Sequence, residues 1–563
     1  MSERTGYEAE PTYPAATGSV TRGWRSLGRH TPESGVLAID GPMVLDWTAL
    51  VAGIVGLPRK VTTVDMRAAT VPWEQVLKRT SPVDALTDDP DFATVSATLV
   101  SDLFDALPVA DLVPGTLSVV FGPGAALVQH DVLWYADVPK RFAEADTVAG
   151  TARNLGQPAG GEATTRRLFY IDWPMLDRHR ELIGGDIDLW IDLQDPAQPT
   201  FIAGEDLRSS LHWLSTRPFR TKPTFNTTPW GGHWAQERLG LSAEAPNTAL
   251  GYELIAPESG ILLGDREEGV VEIPFQLLVA QHPRALLGEM THQVFGTSFP
   301  IRFDYLDTFG GGSLSVHCHP QADYMREVFG WPYTQHETYY VVVGSPDNLI
   351  YLGLREDVDV QAFESQARAA AEHGQPFDIF QFVQSHPADE HQLFLIPAGT
   401  PHGSGKDNVV LEISATPYLY SLRFYDWLRR NGSQQQRPVH LDHAFRNLDL
   451  GRCGAVVVDD LIQRPRPISS GPAAREELIG DLPDMFFQVR RLELTPGGSM
   501  EQQTDDRFHV LNVVAGQSVR IEARAAEHSL FFAETIVIPA SVGSYRLTST
   551  SDETLRIVKA LVR

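Results

Sequence analysis

The chain has 563 residues, of which 42% are hydrophobic and 21% charged, a composition typical of a folded protein with more than one domain. It carries 72 acidic and 46 basic side chains, for a net charge of −26, so the molecule as a whole repels nucleic acid and acidic membrane surfaces. Neither is expected as a partner, and two cysteines are too few for a disulfide framework.

The N-terminal segment, residues 1–30, is predicted to be flexible. Its first part, residues 1–21, is polar and lacks the apolar core of a signal peptide. No stretch of the chain reaches the roughly 18 to 20 apolar residues that a membrane helix needs. We therefore expect a cytoplasmic protein.

Residues 31–215 have the pattern of an α/β domain, in which strands alternate with helices. The stretch from Gly35 to Gly41 is similar to a kinase phosphate loop, but no Lys and Ser/Thr pair follows Gly41, and such a loop needs that pair. An active kinase is therefore disfavoured, and both a degenerate kinase-like scaffold and an unrelated α/β interaction domain remain as interpretations. The predicted strands are 35–41, 117–124, 132–137 and 168–173, and the predicted helices are 46–55 and 95–107.

Residues 216–445 contain a pattern typical of a metal site on β-strands. In SLSVHCHP at 313–320, His317 and His319 are one residue apart, so both side chains project from the same face of a strand. Glu337 begins the next predicted buried strand, and His402 follows a predicted strand and turn. These three imidazoles and one carboxylate make a four-ligand set that suits zinc, and also manganese, iron or nickel.

A helical insertion is predicted between Glu337 and His402, because residues 357–374 are rich in good helix formers. Three histidines lie in or near it: His373, His386 and His391. They lack a paired spacing, so we leave them out of the predicted site.

Residues 446–563 predict a second β domain, with short strands at 486–494, 509–514, 535–539 and 555–561 between Gly-rich turns. Its Ile-Pro-Ala at 538–540 repeats the one at 396–398, but no histidine follows, and Tyr545 stands beyond the turn instead. We expect a structural domain without a metal.

Five blocks of the sequence, in order, resemble the type I phosphomannose isomerases, a zinc-dependent family of the cupin superfamily. The resemblance covers roughly residues 217–563. It implies tandem cupin domains, which are jelly-roll β-barrels, with a helical insertion, so the whole fold would be α+β and mainly β, with the α/β domain in front. The blocks are LSVHCHP at 314–320, Glu337 before an apolar strand, IPAGTPH at 396–402, Leu-Glu at 411–412 and LRFYDW at 422–427.

The resemblance also implies an activity, the metal-dependent interconversion of mannose 6-phosphate and fructose 6-phosphate, with a small-molecule sugar or sugar phosphate as partner. Glu412 matches the carboxylate proposed to move the proton between C1 and C2; alternatively it orients a ligand or pairs with Arg423. Arg423 matches an arginine that would stabilise charge or hold phosphate; alternatively it forms a structural salt bridge with Asp426.

Three positions depart from the family pattern. His317 stands in place of a glutamine ligand, and the resulting set of three His and one Glu also resembles oxygen- or manganese-using cupins. Gln335 and Asp304 stand where the family has lysines, which weakens the inference to a phosphorylated sugar, although Arg302 or Arg423 would substitute. The alternatives are an isomerase of another, unphosphorylated sugar, a metal-dependent cupin oxidoreductase and a non-catalytic sugar-binding regulator.

Overall fold

The structure is a computed structural model and describes residues 6–55, 60–81, 86–110, 113–417, 419–431, 434–524 and 526–563. Three segments of the chain are named here by their secondary structure: the α/β unit (residues 23–216), the first β unit (217–447) and the second β unit (448–563). None of the described helices is both long enough and apolar enough to cross a bilayer.

The α/β unit is organised around a seven-stranded sheet. The seven strands of this sheet are β2 (Thr21–Arg22), β3 (Gly35–Asp40), β4 (Val61–Asp65), β5 (Leu117–Phe121), β6 (Val132–Asp137), β7 (Leu189–Asp192) and β8 (Thr200–Ala203). Strand β1 (Thr12–Tyr13) precedes them in the chain and belongs to another sheet. The helices of this part are α1 (Trp24–His30), α2 (Trp47–Val55), α3 (Trp73–Thr80), α4 (Lys140–Val148), α5 (Thr165–Arg167), α6 (Trp173–Ile183) and α7 (Gly204–Leu214).

The strand order of this sheet is β2-β8-β7-β6-β3-β5-β4. The strands β3 to β7 run parallel to one another, and β8 and β2 continue the sheet in antiparallel pairs. The central strands are buried on both faces, which explains why they read as continuous apolar runs in the sequence.

Two predicted elements of the α/β unit differ from the structure. Residues 95–107 contain a single 3-10 turn, Val100–Leu103, instead of a helix, because backbone N–H groups at the start of the stretch donate to the carbonyls of Phe329 and Tyr170 rather than to helical partners. Residues 168–173 are not a strand but a π-helical turn that runs into α6. A short apolar run does not distinguish strand from helix, and Pro174 favours a helix start.

The first β unit consists mainly of two sheets, with helices between and around their strands. Its strands are β9 (Thr224–Asn226), β10 (Leu250–Leu254), β11 (Gly260–Asp265), β12 (Gly269–Pro274), β13 (Ile301–Asp307), β14 (Val316–Cys318), β15 (Glu337–Val343), β16 (Ser345–Leu354), β17 (Val383–Ala388), β18 (Leu393–Ile396), β19 (His402–Ser404), β20 (Val409–Ala415) and β21 (Leu422–Tyr425). Its helices are α8 (Phe275–Gln281), α9 (Pro283–Leu287), α10 (Glu289–Phe295), α11 (Ala322–Tyr324), α12 (Val360–His373) and α13 (Leu441–Asn447).

One sheet has the order β18-β15-β20-β13-β10-β9 and the other β17-β16-β19-β14-β21. All seven residues of β13 and of β20 are buried, as expected of central strands with packed elements on both faces. Helix α12 lies between β16 and β17, within the predicted insertion.

The N-terminal segment packs against the first β unit. Strand β1 adds in parallel to β11, which pairs with β12, and the Tyr7 hydroxyl donates a hydrogen bond to Glu253. Residues 7–13 of the segment therefore contact the first β unit, and residues 16–22 contact the α/β unit, where a flexible N-terminus was expected; residues 1–5 lie outside the described ranges.

The second β unit has two sheets, β22-β23-β24-β31-β26-β29 and β25-β30-β27-β28, around a shared apolar core. The interior also contains polar pairs: Lys559 Nζ lies 2.7 Å from Glu476 Oε1, and the His509 ring nitrogen lies 2.8 Å from the Tyr545 hydroxyl. Its elements are α14 (Ala455–Leu461), β22 (Arg466–Ser470), β23 (Ala474–Gly480), β24 (Phe487–Leu494), β25 (Ser499–Gln503), β26 (His509–Ala515), β27 (Ser518–Ala523), β28 (Ala526–Phe531), β29 (Thr535–Ile538), β30 (Ser544–Ser549) and β31 (Leu555–Val562).

Candidate metal centre and active site

The four predicted metal ligands lie together in the first β unit. One possible ligand atom from each of His317, His319, Glu337 and His402 lies within 4.8 Å of the others, and all four side chains are buried. The histidines follow or belong to β14 and β19 of the five-stranded sheet, and Glu337 opens β15 of the six-stranded sheet. The cluster therefore lies where the inner faces of the two sheets meet.

Strand register places a fifth residue beside this cluster. Strand β14 pairs antiparallel with β19 on one side and β21 on the other, and His317 lies opposite His402 in one pair and Arg423 in the other. Directly opposed residues of antiparallel strands project from the same face, with Cβ atoms about 4.5 to 5.5 Å apart. His402, His317 and Arg423 thus form one row on the inner face of the sheet.

The orientation of each imidazole in the cluster is set by a backbone carbonyl. The Nδ1 atom of His317 lies 3.0 Å from the Ser315 carbonyl, and that of His402 lies 2.9 Å from the Thr400 carbonyl. For His319 the partner is the carbonyl of Tyr420, at 3.2 Å. Because a carbonyl only accepts, Nδ1 must donate, and in the neutral ring this leaves the Nε2 lone pair for a metal.

The Nε2 lone pairs face a carboxylate. Glu337 Oε1 lies 2.9 Å from His319 Nε2, and Glu337 Oε2 lies 3.1 Å from His402 Nε2. When Nδ1 carries the ring proton, both Nε2 and the carboxylate oxygen are acceptors. Two acceptors this close to each other are stable only with a cation or a proton between them. The cluster fits a divalent cation, and its nitrogen and oxygen donors suit zinc, manganese or iron.

The pKa shifts of His317, His319 and Glu337 favour neutral imidazoles and an ionised carboxylate. Burial lowers the pKa of His317 well below its usual value, with smaller effects from His402 and His319, and burial likewise lowers the pKa of His319. Burial alone would raise the pKa of Glu337, but its contacts with His319 and His402 hold it well below its usual value. Neutral imidazoles and an ionised carboxylate are the forms that bind a metal.

Glu412 lies in the next row of the six-stranded sheet, opposite Asp304 on β13 and Tyr339 on β15. It is buried and forms an ion pair with Arg302, whose Nη2 is also 3.4 Å from Glu337 Oε1. The partner of Glu412 is therefore Arg302 and not Arg423, which the sequence had offered as one alternative.

A hydroxyl fixes the Glu412 carboxylate further. Ser414 Oγ donates to Glu412 Oε1 over 2.8 Å and accepts from Arg302 Nε over 2.6 Å. Burial raises the pKa of Glu412 well above its usual value, and the charge of Arg302 counteracts this only in part. The arrangement gives a positioned carboxylate of raised basicity next to the ligand Glu337.

Arg423 faces the same interior without a carboxylate partner. Its Nη1 donates to the Pro438 carbonyl over 3.2 Å, and among the described residues no carboxylate oxygen lies within 4.0 Å of its guanidinium. Asp426, the alternative partner considered from the sequence, pairs instead with Arg429 and Arg437, each at 2.7 Å. Burial, and after it the charge of Arg437, lowers the pKa of Arg423 to about 10.

A cavity of about 420 Å³ connects these groups, and both Glu412 and Arg423 line it. Two further lining residues, Tyr339 and Gln335, have a buried oxygen (Oη and Oε1) without a partner among the described residues, and a third oxygen, Asp304 Oδ1, has no hydrogen bond there and only the Arg302 Nε at 3.4 Å. Such atoms are costly in a protein interior unless a ligand or water satisfies them. A molecule with several hydroxyl groups would satisfy all three.

His336, which precedes Glu337, and the three histidines left out of the predicted site lie elsewhere. His336 turns away from the cluster and accepts a hydrogen bond from the Ala398 N–H, over 3.1 Å. His373 ends α12 on the surface, His386 belongs to β17, and His391 contacts the Tyr340 hydroxyl at 3.2 Å. None of them is part of the four-ligand group.

Sequence reasoning missed several residues of the cavity. Tyr339 carries a recognisable signal, because it lies two positions after Glu337 on the same strand and so on the same face. The α/β unit contributes Asp91, Arg166 and Tyr170 to the wall, and no local pattern in the sequence links these residues to a site more than 100 positions away.

Comparisons with known sequences give a family match and a distant relative. Residues 23–216 match a family described as a domain of unknown function, DUF8485. Over 325 residues, 56% of this chain and 90% of the relative, the chain is 23% identical to the mannose-6-phosphate isomerase of Streptococcus mutans.

Solved structures give matches of similar extent. The mannose 6-phosphate isomerase of Bacillus subtilis matches with a TM-score of 0.49 at 17% identity, covering 61% of this chain and 99% of that one. A putative mannosephosphate isomerase of Archaeoglobus fulgidus matches with a TM-score of 0.46 at 17% identity, covering 62% of this chain and 98% of that one. The chain thus has a mannose-6-phosphate isomerase as a distant sequence relative, and its first unit matches a family of unknown function.

Proposed function

We propose that this protein is a metal-dependent aldose–ketose isomerase that interconverts mannose 6-phosphate and fructose 6-phosphate. The observation that carries the proposal is the convergence of three carbonyl-oriented imidazoles and Glu337 beside a second buried carboxylate, Glu412, in one cavity. The distant isomerase relative supports the same class of reaction.

The metal would be held by His317, His319, Glu337 and His402 and would supply Lewis acidity toward the sugar's carbonyl or adjacent hydroxyl oxygen. Glu412 would move the proton between C1 and C2 through a cis-enediol, which needs one base on one side of both carbons. Ser414 and Arg302 hold its carboxylate in place, so a single group can serve both carbons.

The neighbouring residues would bind and orient the open-chain sugar. Tyr339 Oη, Gln335 Oε1 and Asp304 Oδ1 would meet hydroxyl groups, which gives each of these oxygens the hydrogen bond it lacks among the described residues. Arg423, on the row of His317, would bind a negatively charged group of the substrate.

The test is a coupled isomerase assay with mannose 6-phosphate on protein of known metal content, comparing wild type with His402→Ala and Glu412→Gln. Loss of turnover in both variants, with loss of metal only in the first, would support the assigned roles. Zinc-loaded wild type without turnover would contradict the mannose 6-phosphate assignment.

One observation favours a second candidate: three His and one Glu are also a donor set for oxygen-using metals. In the same preparations, dioxygen uptake with an iron- or manganese-loaded site and no isomerase turnover would indicate a cupin oxidoreductase. Binding of sugars without any turnover would indicate a regulator, and turnover only of unphosphorylated sugars would indicate a different isomerase.

A further inference from the structure

The α/β unit forms part of the wall of the metal-site cavity. Two of its segments reach the cavity, the loop 90–92 and the turn 165–170 at the start of α6. From the α/β unit come Pro90, Asp91, Phe92, Thr165, Arg166, Phe169 and Tyr170. The cavity is therefore built by two parts of the chain that a domain boundary near residue 216 would separate.

Side-chain and backbone contacts hold this wall against α13 and the first β unit. Asp89 Oδ2 lies 2.8 Å from His443 Nε2, and Asp91 Oδ2 lies 3.4 Å from His440 Nε2. Next to them, the Val95 N–H donates to the Phe329 carbonyl over 2.9 Å. The loop thus has a defined position over the cavity, and its neighbours can present groups to a ligand.

Arg166 lines the cavity, and its guanidinium has no acidic partner in the part of the chain that the structure describes. Its Nε donates to the Phe92 carbonyl over 2.6 Å and its Nη2 to the Leu86 carbonyl over 2.7 Å. Both partners are neutral, neither bond uses Nη1, and within the described ranges no carboxylate oxygen lies within 4.0 Å of this guanidinium. The carbonyls therefore fix the side chain and leave its charge available.

Arg166 and Arg423 line the same cavity, one from each of the two units. Tyr170, in the same wall, interacts electrostatically with both guanidinium groups, and Asp91, also in this wall, interacts with Arg423. Two guanidinium groups without carboxylate partners are unusual in a protein of net charge −26. Planar guanidinium groups match the oxygens of a phosphate, which they bind through paired hydrogen bonds.

We propose that Arg166 of the α/β unit and Arg423 of the first β unit together bind the phosphate group of the sugar, so that the α/β unit is part of the active site. This inference rests on the proposed function for the identity of the sugar, but the anion site itself does not depend on turnover. The two arginines would also supply the positive charge that is missing at Gln335 and Asp304, the two positions where the resembled family has lysines.

The experiment is a calorimetric titration of the metal-loaded full chain with inorganic phosphate and with fructose 6-phosphate. Arg166→Gln should weaken binding of both by about 10- to 100-fold, the loss expected for hydrogen bonds to a charged group. Arg166→Lys should recover part of the lost affinity, because lysine restores the positive charge but not the paired N–H donors of the guanidinium.

A matched control separates loss of charge from loosening of the loop. Asp89→Asn removes the bond to His443 that docks the same loop and leaves every arginine in place. Unchanged phosphate affinity in Asp89→Asn, together with weak binding in Arg166→Gln, supports the proposal. Equal losses in both variants, or equal affinity of Arg166→Gln and wild type, would overturn it, as would a wild type that does not bind phosphate.

Kinetics distinguish this proposal from the function on which it rests. With an active wild type, Arg166→Gln should raise the KM for mannose 6-phosphate by a similar factor and leave kcat/KM for mannose unchanged. A wild type that binds phosphate through Arg166 but isomerises no sugar would contradict the proposed function and retain the anion site. Equal turnover of mannose 6-phosphate by Arg166→Gln and wild type would support the proposed function and contradict the anion site.

Discussion

His317 and Arg423 lie directly opposite each other on β14 and β21, so a metal-ligand position and an arginine without a carboxylate partner share one face of the sheet. A ligand bound at the cluster therefore meets a guanidinium within one strand spacing. This relationship connects the candidate metal centre with the anion site and places both at the same cavity.

Removal of a metal ligand should abolish activity and metal binding together. His402→Ala should lower the metal content from about one ion per chain to near zero and kcat by about 1000-fold or more, because Lewis acidity contributes several kcal/mol. Metal analysis by mass spectrometry and the coupled assay measure both. His373→Ala, at an exposed histidine outside the cluster, should change neither, and full metal content in His402→Ala would contradict the ligand assignment.

Glu412→Gln should separate proton transfer from metal binding. The substitution keeps the size of the side chain and removes the basic carboxylate, so kcat should fall by about 100- to 10,000-fold while the metal content stays at the wild-type level. Stopped assays and metal analysis of the same sample test this. Ser414→Ala, which only loosens the carboxylate, should cost less, and loss of the metal in Glu412→Gln would identify Glu412 as an orienting residue instead.

Tyr339→Phe should improve stability and impair binding. The Tyr339 hydroxyl is buried without a partner among the described residues, so its removal should leave the free energy of unfolding unchanged or raise it by about 1 kcal/mol. The KM for the sugar should rise by about 2- to 12-fold, the value of one hydrogen bond. Denaturant unfolding and steady-state kinetics measure the two effects.

The neighbouring tyrosine is the control for this prediction. Tyr340 points to the other face of the same strand, where its hydroxyl contacts His391 at 3.2 Å. Tyr340→Phe should therefore lower stability slightly and leave KM unchanged. The same effect on KM in both variants would argue against a sugar contact at Tyr339.

Asp137, at the carboxyl end of β6, should make stability depend on pH. Burial raises its pKa from the usual 3.8 to about 7, so the native state binds more protons than the unfolded state between pH 4 and 7. Its contribution to stability must then fall as pH rises through this window. Asp137→Asn lacks the titrating group and should gain stability relative to wild type from pH 4.5 to 7.5, measured as urea midpoints, and a difference that does not change with pH would contradict the prediction.

The candidate ligands were predictable from sequence because each depends on local geometry. Alternation along a strand puts His317 and His319 on one face, and the turn before His402 is marked by its own Pro and Gly residues. The pairing of Glu412 with Arg302 was not predictable in this way, since it requires the register of β13 against β20. The register depends on packing of the whole sheet, and no short pattern encodes it.

The contribution of the α/β unit was beyond sequence reasoning for a related reason. Arg166 and Arg423 are far apart in the chain, and the contacts that bring their segments together, such as Asp89 with His443, involve isolated residues without a motif. The stretch 95–107 shows the same limit, because its backbone hydrogen bonds to the carbonyls of Phe329 and Tyr170 outweigh local helical preference.

Buried carboxylates of the two β units have different partners. In the second unit, the ammonium of Lys559 is covalently part of the chain and lies 2.7 Å from Glu476, and burial, opposed by Glu476, lowers the pKa of Lys559 to about 8. In the first unit, Arg302 pairs with Glu412 in the same way, whereas Glu337 and the three imidazoles would hold an ion from solution. Chelation should therefore loosen the first unit alone, and in amide hydrogen exchange β14, β15 and β19 should lose protection while β23 and β31 keep theirs.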